Sequence, residues 1–338
     1  MPQLIKIGSR DSQLALLQSQ MVKIRLEEIY PNLHCEIIKI KTQGDKILDV
    51  ALSKIGDKGL FVKELEHELL EATVDIAVHS MKDMPTKLPD GLKISSILER
   101  EDVRDVICLS QNHPEYASPN AEIEDCEQSQ ESLNNDNDLT SQLIEKLNIV
   151  ATSSLRRIAL LKSYYPKLNF IDIRGNLNTR FRKLDDSNNA MDAIVLAAAG
   201  IKRLMTVDDS FSNRISAFLN PREIMPAVAQ GALAIEFLES RTDIEKLIEP
   251  LVNPKQEMIL QIERNFLNEL EGGCQVPIGI YSELENKKTC FHFSVSSLDG
   301  TKTIKDRLSI FDSELTPQLG RLLAQRLIKS GATALLRG

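Results

Sequence analysis

The most constraining feature of this 338-residue chain is an order of predicted elements that occurs twice. Residues 4–8 (LIKIG) predict a strand, which a polar turn joins to a predicted helix over 14–30. Two further strands are predicted at 34–42 (HCEIIKIKT) and 74–80 (VDIAVHS), separated by a loop and a helical pattern. The first part of the chain is therefore expected to form alternating β and α units.

A second set follows the same order from residue 147 onwards. LNIVAT (147–152) predicts a strand, a Thr-Ser-Ser turn leads into a helical pattern at 155–165, and LNFIDIR (168–174) predicts the next strand. DAIVLAAAG (192–200) is a nearly continuous apolar strand. Alternating units with apolar strands are typical of parallel sheets covered by helices, whose ligands bind at the carboxyl ends of the strands. We therefore expect an α/β fold with two similar lobes facing each other across a cleft.

A third, smaller domain is predicted after the prolines of 250–254. It contains a long amphipathic helix at 256–270, alternating strands such as 290–298, and a last helix at 316–331. The apolar segment 221–237 before it is typical of a chain crossing back to the first lobe. The expected limits are 1–100 plus about 225–248 for lobe one, 101–224 for lobe two, and 249–338 for a small C-terminal α/β domain.

Residues 111–138 interrupt the second lobe with Asn, Gln, Ser and acidic side chains. Such a composition buries too little apolar area to offset the entropy lost on ordering, so we expect a mobile surface insertion. A structured regulatory arm is the alternative, although helical periodicity is present only at the end of the segment. Residues 105–145 carry ten acids and no Lys or Arg, so this part of the chain accounts for the net charge of -8.

The composition argues against several classes of protein. The remainder of the chain is nearly neutral, aromatic residues are 4% and Trp is absent, so a nucleic-acid surface is not expected. Five cysteines without metal-ligand spacing predict neither a disulfide framework nor a metal site. The opening residues lack a basic leader with an apolar segment, and no apolar run is long enough to cross a bilayer. A cytoplasmic protein is therefore expected.

Arginines recur at the predicted strand exits and helix starts of both halves. Helix N-termini already favour anions, and arginine adds a two-pronged donor for carboxylate or phosphate. This pattern predicts a polyanionic ligand between the lobes. The alternative for any single residue is an ordinary solvated helix arginine, and Arg182 is the first candidate for that alternative. The arginines are Arg10, Arg156, Arg157, Arg174, Arg180, Arg182 and Arg203.

Two other residues are candidates for chemistry. Asp83 follows a predicted strand in HSMKDMP, where a carboxylate in a cleft can move a proton or stabilise a cation. The alternative is an Asp that only hydrogen-bonds its own turn before Pro85. Cys274 lies on the glycine turn EGGCQVPIG, where its thiol could act as a nucleophile or attachment point, or could simply be a small buried side chain. His79 is interpreted as a packing residue.

Nine motifs, in order and over nearly the whole chain, resemble the porphobilinogen deaminase family, also called hydroxymethylbilane synthases. They are IGSRDSQLAL, KTQGDKILD, KGLFVKELE, AVHSMKDMP, REDVRDV, TSSLRR, DIRGNLNTRFRKLD, PAVAQGALAIE and EGGCQVPIG. The resemblance implies a transferase that joins four porphobilinogen molecules head to tail, with release of ammonia, to give hydroxymethylbilane for haem-type tetrapyrroles. It also implies three domains, of which two are like type II periplasmic-binding-protein lobes.

The resemblance further implies roles for individual residues. Asp83 would be the catalytic carboxylate, assisting loss of ammonia, stabilising the resulting azafulvene cation and helping to remove a proton. Cys274 would hold a dipyrromethane cofactor through a thioether, as the primer on which the product grows. Cofactor and substrate carboxylates would be bound by Arg10, Ser12, Ser80, Lys82, Thr152, Ser153, Ser154, Arg156, Arg157, Arg174, Arg180, Arg203 and Gln230.

Some positions depart from the pattern of the family. Ala151 and Ala229 occupy positions where the family commonly has Gly, which leaves open how closely the backbone approaches the ligand. Asp57 and Phe181 are other variants, and the acidic insertion is long. None of these changes removes a proposed catalytic residue.

The expected partner is the small molecule porphobilinogen. No nucleic acid, membrane or metal is expected as a partner, and the protein is expected to be a monomer. The alternative from another class is a non-catalytic, two-lobed binding protein for a small anion, since a fold does not settle a function. Such a protein needs neither Asp83 nor Cys274. A covalent pair of pyrroles on one cysteine would exclude it.

Overall fold

The computed structural model describes residues 3–46, 61–111, 130–270 and 276–337, with side chains from 3–44, 61–111, 138–270 and 276–336. Cys274 and Asp57 lie outside the described residues, as does most of the predicted insertion. The strands are β1 (Leu4–Arg10), β2 (His34–Ile40), β3 (Ile76–Ser80), β4 (Leu92–Ile97), β5 (Asp105–Leu109), β6 (Ile149–Ala151), β7 (Asn169–Ile171), β8 (Ala193–Ala197), β9 (Ala217–Phe218), β10 (Leu233–Leu238), β11 (Ile278–Glu285), β12 (Lys288–Ser296) and β13 (Thr303–Phe311).

Helices alternate with these strands in both halves. They are α1 (Gln13–Ile29), α2 (Gln43–Lys46), α3 (Lys63–Leu70), α4 (Gln130–Lys146), α5 (Leu155–Tyr164), α6 (Leu177–Leu184), α7 (Ala198–Met205), α8 (Thr242–Ile248), α9 (Pro254–Glu269), α10 (Leu319–Lys329) and α11 (Ala332–Arg337). Short 3₁₀ turns lie at Met81–Asp83, Asp209–Phe211, Glu249–Leu251 and Asp312–Glu314.

The two lobes contain sheets with the same plan. The first has the order β2-β1-β3-β10-β4, and the second has the order β7-β6-β8-β5-β9. In each sheet the three strands at one end are parallel, while the fourth runs antiparallel to both of its neighbours. The expected α/β architecture of two similar lobes is confirmed, and β10 is the predicted return crossing into the first sheet.

Side-chain caps place the first helix of each lobe directly after the first strand. Ser12 accepts a hydrogen bond from the backbone N–H of Ala15 at the start of α1. Ser154 accepts one from Arg157 at the start of α5. Because the caps satisfy amides that the helix leaves unpaired, both helices begin within a few residues of their strand ends. The polar residues of these turns are thereby held at the carboxyl edge of each sheet.

The small C-terminal domain has an antiparallel sheet of order β11-β12-β13. Helices α9 and α10 cover one face, where Phe266 and Phe293 pack edge to face with ring centroids 5.7 Å apart. Asn253 caps α9 and Pro254 occupies its first turn, as the proline boundary predicts. The predicted third domain is confirmed.

The end of the predicted insertion differs from expectation. Helix α4 begins at Gln130, whereas the sequence pattern places helical periodicity only after residue 138. Ile144 is buried in the core of the second lobe together with Leu147, which directly follows the helix. Once a helix is anchored, each further residue adds a hydrogen bond at low cost, so it extends into polar sequence without an apolar pattern.

Candidate active site

A cavity of about 560 Å³ lies between the two lobes. Its wall comes from the turns after β1 and β3, the start of α6, the start of α7 and the turn before β10. This is the strand-end position expected for a ligand site, and the volume is in the range of small-molecule sites. Charged side chains that line it are Arg10, Asp11, Lys41, Lys82, Asp83, Arg157, Arg174, Arg180 and Arg203.

Asp83 is presented to the cavity by a short 3₁₀ turn that follows β3. The preceding Met81 is buried and donates its backbone N–H to the carbonyl of Ala232 at 3.0 Å, which ties the turn to the strand beside it. Asp83 itself is exposed. The other acidic residue of the lining, Asp11, is paired with Lys39 at 3.2 Å. Asp83 is thus the acid best placed for chemistry in the described wall.

Lys82 adjoins Asp83 and points its Nζ toward Gln230, whose Oε1 lies 3.5 Å away. Burial lowers the pKa of Lys82 to about 8, although the nearby Asp83 carboxylate acts in the opposite direction. A cation next to Asp83 that is close to losing its proton near neutral pH is typical of sites that handle protons.

Lobe one contributes one arginine and two hydroxyls from the predicted set. The Arg10 guanidinium stacks on the Phe61 ring, 4.3 Å from its centroid. Ser12 caps α1, and the Ser80 hydroxyl accepts a hydrogen bond of 3.1 Å from Gln18. All three predicted residues line the cavity.

Lobe two contributes four arginines. Arg180 on α6 donates its Nε–H to the carbonyl of Gly175 at 2.9 Å, and Arg203 on α7 donates to that of Gly231 at 2.6 Å. Burial lowers the pKa of both guanidinium groups to about 10, which still leaves them charged at neutral pH. Arg157 and Arg174 are buried and complete this wall. The structure therefore brings cations from both lobes to the cavity that Asp83 lines.

Other predicted residues lie behind the cavity wall. Arg156 points to Asp105 and donates to the carbonyl of Met225 at 2.6 Å. Ser153 donates to the carbonyl of Ile173 at 2.8 Å, while Thr152 is buried and Ser154 caps α5. In the described wall these residues support the cavity instead of lining it.

Gln230 also lies behind the wall, where its Nε2 donates to the carbonyl of Val103 at 2.7 Å and to Asp105 at 2.9 Å. Sequence reasoning missed Asp105, because a single acid at the start of an apolar strand carries no distinguishing signal. It also missed Lys41, Asn176 and Thr179 of the lining. Lys41 follows β2 as Arg10 ends β1, so the strand-exit rule could have found it.

Arg182 is separated from Arg180 by the geometry of α6. Arg182 is exposed and lines a different cavity, of about 450 Å³, together with Lys183 and Asp186. Two residues along a helix correspond to a rotation of about 200°, so the two arginines project from nearly opposite sides. Arg182 is not brought to the site.

The turn before β10 is tightly constrained. Gly231 has φ of +89°, and a Cβ added there would lie 2.3 Å from the carbonyl oxygen of Glu101. Ala229, one of the departures from the family pattern, has φ of 57°, a left-handed conformation that favours glycine. The Ala229 methyl group is buried in the core shared with the C-terminal domain, so the alanine does not enter the cavity.

Among the described side chains, one group has the spacing of metal ligands. Glu283, Cys290 and His292 have donor atoms within 4.8 Å of one another. Arg222 donates to both oxygens of Glu283, at 2.9 and 3.0 Å, and His292 contacts the same carboxylate. The group is thus already satisfied as a contact between lobe two and the C-terminal sheet.

No helix among the described residues is both long and apolar enough to span a membrane.

Two family profiles match the chain. "Porphobilinogen deaminase, dipyromethane cofactor binding domain" matches residues 5–246, and "Porphobilinogen deaminase, C-terminal domain" matches residues 258–329.

Curated relatives match over nearly the full length. "Porphobilinogen deaminase" of Desulfitobacterium hafniense is 43% identical over 98% of this chain and 96% of its own length. The protein of the same name from Prochlorococcus marinus strain MIT 9515 is 45% identical over 98% and 95%. Among solved structures, the periplasmic VFT2 domain of Bordetella pertussis BvgS aligns with a TM-score of 0.39 and 15% identity, covering 77% of this chain and 92% of its own.

Proposed function

The chain belongs to the porphobilinogen deaminase family, and on this premise we propose which of its residues carry the reaction. The activity is that of a transferase that joins four porphobilinogen molecules head to tail, releases ammonia and yields hydroxymethylbilane. A non-catalytic small-anion binding protein is not favoured.

One observation supports the assignment most strongly: a cavity that presents the Asp83 carboxylate among cations from both lobes. Porphobilinogen and dipyrromethane both carry carboxylate side chains, so the arginines and lysines of the wall have the donors that these groups require. A carboxylate bound here meets fixed guanidinium groups that are partly desolvated, which strengthens the attraction. The residues present thus fit a dipyrromethane group, which when bound supplies the free pyrrole carbon that is extended.

Asp83 is proposed to be the catalytic residue. Loss of ammonia from porphobilinogen leaves positive charge on the pyrrole, and a carboxylate beside the ring nitrogen stabilises that charge. The same carboxylate can then accept a proton after each carbon–carbon bond forms. The Met81–Ala232 hydrogen bond anchors the backbone of the 3₁₀ turn beside the start of β10, so Asp83 is presented from an anchored turn.

Binding of substrate and cofactor carboxylates is assigned to the residues of the cavity wall. Arg10, Ser12, Ser80 and Lys82 act from lobe one, and Arg157, Arg174, Arg180 and Arg203 act from lobe two. Thr152, Ser153, Ser154, Arg156 and Gln230 lie directly behind this wall and serve the same site by holding its backbone and side chains.

Cys274 is proposed to hold the dipyrromethane cofactor through a thioether. It lies outside the described residues, but its flanks support the assignment. Leu270 and Ile278 are buried in a core cluster that also contains Met81, two residues before Asp83. Val276 packs against the same cluster. The residues that flank this segment are therefore anchored in the same core as the turn that precedes Asp83.

The chain is proposed to have three domains. The domain limits are 1–100 plus about 225–248, 101–224 and 249–338, which is compatible with the strands that each sheet contains. The protein is proposed to act as a cytoplasmic monomer without a nucleic-acid partner, in line with its acidic composition.

Replacement of Asp83 by Asn tests the proposed catalytic role. The folded variant should keep the mass of a bound dipyrromethane, while porphobilinogen consumption falls by about 10² to 10⁴-fold, the usual range for loss of an acid–base group. Asp83→Glu, which keeps the charge, should retain more activity. Asp90→Asn, an exposed residue of the same loop, is the matched control. Turnover of Asp83→Asn within threefold of that control would remove Asp83 from the mechanism.

A further inference from the structure

A buried carboxylate outside the cavity connects several residues of the site. Asp105 begins β5 and has no exposed surface. Its Oδ1 accepts hydrogen bonds from Arg157 at 2.7 Å and from Gln230 at 2.9 Å, and its Oδ2 lies 2.8 Å from Arg156 Nη1. Side chains from helix α5 and from the turn before β10 thus converge on one carboxylate.

The carboxylate is ionised despite its burial. Burial alone would raise the pKa of Asp105, but the two guanidinium groups hold that pKa well below its usual range. Two buried arginines without Asp105 would leave adjacent positive charges uncompensated, which is strongly unfavourable. The negative charge is therefore required for Arg156 and Arg157 to lie side by side.

The network extends from Asp105 to the catalytic turn. Gln230 donates to Asp105 through Nε2, and its Oε1 faces Lys82 Nζ at 3.5 Å. Arg157 also donates to the carbonyl of Val195 at 2.8 Å, and its guanidinium group lines the cavity. Asp105 in lobe two is thus one side chain removed from the lysine beside Asp83 in lobe one.

We propose that Asp105 is a positioning residue that holds Arg157 at the cavity wall and Gln230 behind it, and whose negative charge acts on Lys82 next to the catalytic carboxylate. This inference rests on the proposed function, because it gives Lys82 and Arg157 their role in binding carboxylates. Asp105 does not line the cavity itself, so it acts through these neighbours and through the effect of its charge on Lys82.

The direction of the effect follows from the charges around Lys82. Burial lowers the pKa of Lys82, Asp83 raises it, Arg157 lowers it, Asp105 raises it and Arg156 lowers it. Removing the negative charge of Asp105 should therefore lower the pKa of Lys82, whereas removing the positive charge of Arg156 should raise it. If this ion pair had only a structural role, removing its negative and its positive member would not shift the pKa of Lys82 in opposite directions.

Competitive acetylation of the holoenzyme measures this charge without using the reaction. Acetic anhydride labels only the neutral amine, so the labelling of Lys82 across pH, read by peptide mass spectrometry, reports its pKa. In Asp105→Asn the neutral fraction of Lys82 at pH 7 should rise several-fold, up to about fivefold if the pKa falls by about one unit from its value of about 8. Asp185→Asn is the control, since Asp185 pairs with the buried Arg214 in the same lobe at 2.8 Å but does not line the cavity.

Arg156→Gln removes the positive member of the pair and should change the labelling of Lys82 in the opposite direction. It also provides a test if Asp105→Asn does not fold. Labelling of Lys82 in Arg156→Gln should fall below that of the parent protein. Unchanged labelling in either folded variant, or a shift in Asp185→Asn as large as in Asp105→Asn, would overturn the inference. Failure of the proposed function would instead be detected by normal turnover in Asp83→Asn, whatever the labelling of Lys82.

Discussion

His79 Nε2 lies 2.9 Å from Glu236 Oε2, with side chains that are 4% and 0% exposed. His79 is on β3, four residues before Asp83, and Glu236 is on β10, the strand that returns from lobe two. Glu66 on α3 is buried close enough for the charge of Glu236 to act on it. A buried cluster of ionisable residues that includes His79 therefore lies at the strand that leads to the turn of Asp83.

This cluster predicts a dependence of stability on pH. Burial and then the charge of Glu236 raise the pKa of Glu66 from 4.5 to about 7, so the folded protein holds this proton more tightly than the unfolded chain. The free energy of unfolding should therefore fall as pH rises from about 4.5 to about 7 and then level off, with Glu66 accounting for up to about 3 kcal/mol.

Glu66→Gln, which cannot ionise, should gain stability relative to the parent protein across that window. Urea unfolding of both proteins at pH 5 and pH 8 measures the change. Glu71→Gln, an exposed position after the same helix, is the control and should show a difference that is independent of pH. A constant difference for Glu66→Gln as well would contradict the raised pKa.

Replacement of Cys274 by Ala should abolish the covalent cofactor. Without the sulfur no thioether can form, so intact mass spectrometry of the folded variant should show the mass of the polypeptide alone, and porphobilinogen consumption should be lost. Cys290→Ala is the matched control, because Cys290 is a buried free cysteine of the same domain and should keep the adduct. A dipyrrole adduct on Cys274→Ala would move the attachment to another residue.

The two arginines of α6 should behave differently on removal. Arg180→Gln leaves a substrate carboxylate without a charge-assisted contact worth about 1.5 to 3 kcal/mol, so kcat/KM for porphobilinogen should fall by roughly 10 to 150-fold. Arg182→Gln changes an exposed residue of the other cavity and should stay within twofold of the parent. Equal losses in both variants would show that the assigned faces of α6 are wrong.

Gly231→Ala should damage both stability and activity. A Cβ would lie 2.3 Å from the carbonyl oxygen of Glu101, and the positive φ adds strain of about 1 kcal/mol or more. Since Arg203 donates to the carbonyl of Gly231, displacement of this turn should also move a cation of the cavity wall. Thermal unfolding measures the loss of stability, and KM measures the effect on the cavity wall. Gly91→Ala is the control, because Gly91 has a positive φ but open space around it, so this variant has the backbone strain without the steric clash of the new Cβ. Equal losses of stability in the two variants would argue against the collision.

Much of the fold follows from local sequence. The alternation of apolar strands with capped helices identifies two α/β lobes and a third domain, because burial of one face and capping of helix ends are decided within a few residues. Arg10, Asp83 and Arg180 could be named because each stands at a strand exit or helix start. The structure gathers them at the carboxyl edges of the two sheets, where such residues are expected to meet.

Tertiary structure alone decided which of two neighbouring charges lines the cavity. Arg156 and Arg157 are adjacent on one helix, yet only Arg157 lines the cavity, while Arg156 faces Met225 and Asp105. The role of Asp105 depends on partners 51, 52 and 125 residues away in the sequence, and no local pattern marks it. Sequence determines what each segment buries, whereas the pairing of buried charges is determined by which segments meet once the lobes are packed.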